Sequence, residues 1–298
     1  MPNEIGSTAT ELCCGLRMKL EDKVCLITGA GRGIGETIAL AFASHGAILV
    51  LCSRTAKELQ RTALKTTEAG SVTMTFRVDV SDFDQISNMV EQTVSRFGRI
   101  DVLINNAGIY GPIGPIWKND ISLWRETIAT NLFGSVHCIR AVVPHMIQSG
   151  GGKIVNVTGG GEGAFPRFSA YACSKSAMVR LTETLAEELR EYNIQVNAIA
   201  PGAVNTRLLD EVLDAGIDAG DFYEKARRQK VSGGVPPEKV ARLAAFLASS
   251  DSRTLTGRLL SAVWDDWDNL DIESIMGSSL YQVRRIDGLR FLESKQLT

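Results

Sequence analysis

The feature that most constrains this chain is a short apolar run that ends in glycines. "VCLITG" at residues 24–29 leads directly into "AGRGIGETIALAF". The first run is apolar almost throughout, as a strand buried on both faces must be, whereas the second has helical spacing. The joint is "TGAGRGIG", Thr28 to Gly35. The alternation then repeats. "AILVLCS", "VTMTFRVDV", "IDVLINNAG", "KIVNVT", "IQVNAIAPG" and "GRLLSAVW" read as further strands. Helices are expected at about 34–45, 58–68, 83–97, 120–147, 171–190 and 237–248. Apolar strands alternating with helices imply a parallel sheet covered on both faces. Right-handed crossovers make it an α/β fold, a Rossmann-like doubly wound sheet in a single domain.

That domain is placed at residues 21–263. Residues 1–20 form an N-terminal extension read as poorly ordered, and residues 264–298, opening with "WDDW", form a C-terminal extension. Of the 298 residues, 44% are hydrophobic and 22% charged, enough for a sizeable core. A net charge of -2 gives no basic field for nucleic acid and no polybasic face for a membrane. The three histidines form no ligand cluster, so no metal is expected. Cys25, Cys52, Cys138 and Cys173 sit in strand or helix runs and Cys13 and Cys14 are adjacent, so all six are read as reduced thiols in a cytoplasmic protein.

Glycines after a first strand let the backbone approach a pyrophosphate at a helix N-terminus, where free N–H groups attract anions. The spacing is G-x-x-x-G-x-G (Gly29, Gly33, Gly35), with Gly31, Arg32 and Ile34 between. At the end of the second strand a carboxylate would bind an adenosine 2′-hydroxyl, and an arginine a 2′-phosphate. Ser53 stands there, followed by Arg54, and Arg32 adds a second cation. The paired donors of arginine suit phosphate, so NADP(H) is preferred and NAD(H) left open.

The chain thereby resembles the short-chain dehydrogenase/reductase family over roughly residues 20–263. The marks are "TGAGRGIG", Asp79–Val80, "NNAG" at 105–108, Asn131 in "TNLFG", "YACSK" at 171–175 and "PGAVNT" at 201–206. The resemblance implies hydride transfer at a carbonyl or alcohol carbon of a small molecule, and a homotetramer or homodimer. It implies Tyr171 as acid/base, Lys175 as its partner and Asn131 as support for a relay water. Asp79 and Val80 would neighbour adenine. Asn106, Ala107 and Gly108, with Pro201, Gly202, Val204 and Thr206, would complete the cofactor site, beside a sheet steadied by Asn105. The family usually carries serine thirteen residues before the tyrosine. Here that position is Thr158, kept as a catalytic candidate. Residues 207–235 would form a lid, with Phe222, Tyr223 and Arg227 either near substrate or on a plain surface helix, and Tyr110 and Trp117 either lining the pocket or packing between loops. The C-terminal extension is expected either to pack on a neighbouring subunit or to cover the sheet edge of its own domain.

Tyr171 and Lys175 are four apart on an expected helix and so share a face. A phenol of pKa about 10 is a poor base at neutral pH. Lowering it by about 3 units takes roughly 4 kcal/mol, which a nearby ammonium and a positive nicotinamide can supply. Of the five tyrosines only Tyr171 has lysine four residues on. The leading reading is therefore an NADP(H)-dependent oxidoreductase of a ketone or secondary alcohol. The alternatives are a cofactor-binding sensor or scaffold without turnover, and a dehydratase or epimerase of the same fold.

Overall fold

The computed structural model describes residues 18–159 and 163–284. β1 (Val24–Thr28) passes through the glycine turn into α1 (Gly33–Ser44). β2 (Ile48–Ser53), α2 (Ala56–Glu68), β3 (Thr73–Arg77) and α3 (Phe83–Phe97) repeat the unit. Next come β4 (Val102–Asn105), α4 (Ile121–Ile128), a π-helical turn at Ala129–Phe133 and α5 (Gly134–Gln148). β5 (Gly152–Val157), α6 (Ser169–Glu188) and β6 (Ile194–Ala200) follow. α7 (Arg207–Ala215) and α8 (Asp221–Ser232) stand apart from the alternation. α9 (Pro237–Ala248), β7 (Leu259–Ser261) and the short α10 (Ile272–Met276) complete the described chain.

The seven strands run parallel in the order β3-β2-β1-β4-β5-β6-β7. The chain winds outward from β1 in one direction and from β4 in the other, which opens a crevice at the carboxyl ends of those two strands. Alternate residues of one strand point to opposite faces. Cys25 and Ile27 of β1 join Phe42 of α1 and Phe246 of α9 in one core layer. Val24 and Leu26 join Met89 of α3 and Val142 of α5 in the other. Both faces are covered, which is why β1 reads as an unbroken apolar run. No described helix is long and apolar enough to cross a membrane.

Three expectations about organisation need correction. The single helix at about 120–147 is divided by the π turn, one extra residue that shifts the register of α5 relative to α4. The N-terminal extension does not reach residue 20, because Met18 and Leu20 are buried in the first core layer; residues 1–17, with Cys13 and Cys14, lie outside the described residues. The C-terminal extension, as far as it is described, lies on its own subunit. Trp267, Ile272 and Ile275 enter the same core layer as β1, and Trp267 packs on Phe246 with ring centroids 5.8 Å apart. The main chain of Tyr281 caps the outer edge of β7, accepting from Leu259 N at 2.8 Å. A boundary at residue 263 therefore cuts through packed core.

Candidate active site

The crevice is a cleft of about 810 Å³. Its floor is the latch between β1 and β4. The amide Nδ2 of Asn106 donates to the carbonyls of Thr28 at 2.9 Å and Gly29 at 3.2 Å. In return the main-chain N–H groups of Asn106 and Ala107 donate to Thr28 Oγ1 at 3.0 and 3.1 Å. These bonds hold the glycine turn so close to β4 that side chains are excluded. A Cβ on Gly29 would stand 2.9 Å from Ala107 Cα, and one on Gly35 only 2.3 Å from Gly29 O. Gly29 also has φ +64, a left-handed conformation that favours glycine. The Arg32 side chain does not cap the N-terminus of α1, and Gly33 and Ile34 of its first turn line the cleft, the position an anion site requires. Thr206 stands against the same turn, its Cγ2 3.3 Å from where a Gly33 Cβ would be.

At the far corner, Ser53 ends β2 and Arg54 follows it. Arg54 lies 4.0 Å from Asp79 and 3.8 Å from Glu126, while Arg32 bonds Glu58 at 3.0 Å. Glu58, on the first turn of α2, lines the cleft and was not anticipated; in the sequence it is indistinguishable from the solvated face of a helix.

The opposite end is built on α6. Tyr171 and Lys175 share one face, both are buried, and both line the cleft. Lys175 Nζ donates to Val157 O at 2.8 Å and lies 5.7 Å from the centre of the Tyr171 ring. Burial pushes the Lys175 ammonium down from 10.5 to about 8. The Tyr171 ring is met edge-on by Tyr110 at 4.6 Å. Burial, then the charge of Glu211, pushes the Tyr110 phenol up to about 12.

Asn131 sits on the π turn behind this pair, fully enclosed. Its Oδ1 accepts from Ile109 N at 2.8 Å, and its Nδ2 donates to Ile109 O at 2.9 Å and Ser174 Oγ at 3.0 Å. The side chain thus fixes the loop after β4 to α6. A second amide ladder does the same deeper in the sheet. Asn105 Nδ2 donates to Asn156 Oδ1 at 2.9 Å, and Asn156 Nδ2 to Thr182 Oγ1 at 2.8 Å.

The expected cofactor residues line the cleft together, with the exception of Gly35, which is tucked behind it. Thr158 needs correction. It lines the cleft, but its hydroxyl donates to Ile199 O at 2.9 Å and the residue is 2% exposed, so the hydroxyl proton is engaged with β6. The next residue is the one beside the phenol. A Cβ built on Gly159 would stand 3.2 Å from Tyr171 Oη, and its φ of +117 disfavours any side chain. Trp117 is 80% exposed and lies off the cleft. Phe222 of α8 lines it, whereas Tyr223 and Arg227 do not. Phe165 and Phe168, which sequence reasoning missed, also line it; their signal was two aromatic residues close before the tyrosine.

A family model described as short chain dehydrogenase matches residues 23–215. A 3-oxoacyl-(acyl-carrier-protein) reductase of Thermotoga maritima is 38% identical over 252 residues, covering 82% of this chain and 97% of that protein. The structure of a xylitol dehydrogenase with bound NAD+ superposes with a TM-score of 0.76 at 32% identity, over 82% of this chain and 98% of that one. A gluconate 5-dehydrogenase of Burkholderia cenocepacia, in complex with NADP and tartrate, gives 0.74 at 32% identity, over 82% and 95%.

Proposed function

Because this chain belongs to the short chain dehydrogenase family, whose members are oxidoreductases acting on CH–OH and C=O groups with a nicotinamide cofactor, we propose that it interconverts a ketone and a secondary alcohol with NADP(H), Tyr171 exchanging the proton. The observation that carries this reading is the buried Tyr171–Lys175 pair at one end of a glycine-floored cleft.

The residues present fit the dinucleotide. Uncapped N–H groups of α1 and the absence of side chains at Gly29 and Gly35 suit a pyrophosphate. Asp79 and Val80 would flank adenine, and Thr206 with Pro201, Gly202 and Val204 would hold the carboxamide end. When bound, the nicotinamide supplies or accepts the hydride. Tyr171 gives its proton to the carbonyl oxygen in reduction and removes it in oxidation. Lys175, when charged, favours the phenolate by attraction across a partly dry site. Asn131 acts as a positioning residue through the loop it holds. An intact proton-exchanging pair favours turnover over a sensor or scaffold role.

The preference for NADP(H) rests on Arg54 and Arg32. Both are paired with carboxylates at exposed or half-buried positions, bonds worth about 0–1 kcal/mol, which a doubly charged 2′-phosphate would displace. Glu58 favours a second reading, NAD(H), because a carboxylate beside the turn would accept from a 2′-hydroxyl. Free thiols at Cys25, Cys52, Cys138 and Cys173 agree with a reducing, cytoplasmic setting. Exposed Ile121, Leu123 and Phe133 agree with assembly into a homodimer or homotetramer.

The test is a carbonyl panel followed by NADPH and NADH absorbance. Tyr171→Phe should cost roughly 100- to 10,000-fold in kcat with the fold intact. Arg54→Ala should weaken NADPH much more than NADH. Full turnover by Tyr171→Phe removes the proton-exchange role, and equal weakening of both cofactors removes the NADP(H) preference.

A further inference from the structure

We infer, resting on the reading above, that the substrate is a ring-bearing, largely apolar ketone or secondary alcohol rather than a sugar or an open-chain acyl compound. The part of the cleft beneath α7 and α8 is walled by aromatic rings. Phe165 stacks on Phe168 with centroids 4.5 Å apart and 15° between planes. Phe222 of the lid meets Phe165 edge-on at 4.5 Å, and Tyr110 meets Phe168 at 5.1 Å. Leu209 and Val212 of α7 close the same cluster from above. Flat walls of this kind complement a flat, rigid body, which gives up little conformational freedom on binding.

Gly159 places no side chain against Tyr171 Oη, where a Cβ would stand at 3.2 Å. The polar inventory argues against a polyol. Thr158 has committed its hydroxyl to Ile199 O. The lid's polar groups on the cleft are engaged within the lid and its neighbours: Arg207 acts on Glu211, Lys230 Nζ bonds Asp210 at 2.6 Å, Gln229 Nε2 donates to Ala203 O and Asn205 Oδ1, and Lys225 lies 4.7 Å from the centre of the Phe222 ring. A buried hydroxyl without a partner costs about 1–3 kcal/mol, so a sugar would be rejected position by position.

Steady-state kinetics would compare 2-decalone, fructose and an acetoacetyl thioester of N-acetylcysteamine, each with NADPH and with NADH. The expected result is the highest kcat/KM for decalone. In Phe165→Ala and Phe222→Ala, checked for folding by circular dichroism, the ratio of decalone to thioester kcat/KM should fall by roughly tenfold or more, with KM carrying most of the loss. A parent enzyme that prefers fructose or the thioester overturns this inference and leaves the oxidoreductase reading standing. A ratio unchanged in both variants also overturns it. No turnover of any carbonyl compound with either cofactor overturns the underlying reading and this inference with it.

Discussion

At the scale of single residues, the decisive fact is the direction in which two neighbours face. Thr158 follows β5 with its hydroxyl bonded to the main chain of β6, and Gly159 stands beside the phenol. Replacing Thr158 by Val should therefore change kcat by less than about tenfold, below the range of a group that handles the proton. It should lower stability by about 1 kcal/mol through loss of the bond to Ile199 O. A drop in kcat as large as that of Tyr171→Phe would restore Thr158 as an oxygen-orienting group. Lys175 gives a second prediction, on stability. Its folded pKa of about 8 lies below the 10.5 of an unfolded lysine, so the folded chain binds its proton less tightly. The cost is present in full below pH 8 and is relieved as pH rises towards 10.5. Lys175→Met should consequently raise Tm at pH 7 while turnover collapses, and the gain in Tm should shrink between pH 8 and 10.5. A Tm at pH 7 equal to or below that of the parent would contradict the burial cost.

At the scale of elements, position is set by amide side chains that bridge between strand ends and helices. Asn131 is presented by a π turn, which brings its amide within reach of both main-chain groups of Ile109 and the hydroxyl of Ser174. Asn131→Ala would leave buried donors and acceptors unpaired, at about 1–3 kcal/mol each. Amide hydrogen exchange at residues 107–110 should rise and kcat/KM fall, with far-UV circular dichroism unchanged. Unaltered exchange there would show that the loop holds itself. The strand and helix order was legible from apolar runs and their spacing because both sheet faces are buried. The π turn was not, since "ETIATNLFGSVH" has continuous helical character and its packing against α6 is a contact between distant segments.

At the scale of the whole molecule, the described tail is part of the domain it follows. Trp267 is sandwiched between Phe246 and the guanidinium of Arg242, 5.2 Å from its ring. Arg258, almost fully buried, donates to Ile275 O at 2.8 Å and Ser278 O at 3.0 Å. Glu183 of α6 accepts from Val283 N at 2.8 Å and pairs with Arg284. Truncation after Val263 would empty the tryptophan's site and strand a buried guanidinium, each costing about 3–5 kcal/mol. Thermal unfolding should therefore begin more than about 10 °C lower. A truncated chain with the parent's Tm would mean that these contacts contribute nothing net.

The sequence by itself determined the doubly wound sheet, the glycine turn and the tyrosine–lysine pair on one helical face, because periodicity and steric exclusion act between residues close in the chain. Tertiary structure alone decided that Glu58 reaches Arg32, that the Thr158 hydroxyl bonds β6 while Gly159 meets the phenol, that aromatic residues from three separate segments wall the substrate end, and that the tail folds back on its own sheet edge. Each of those outcomes depends on which surfaces compete for the same space once distant segments meet, and no local pattern carries that information.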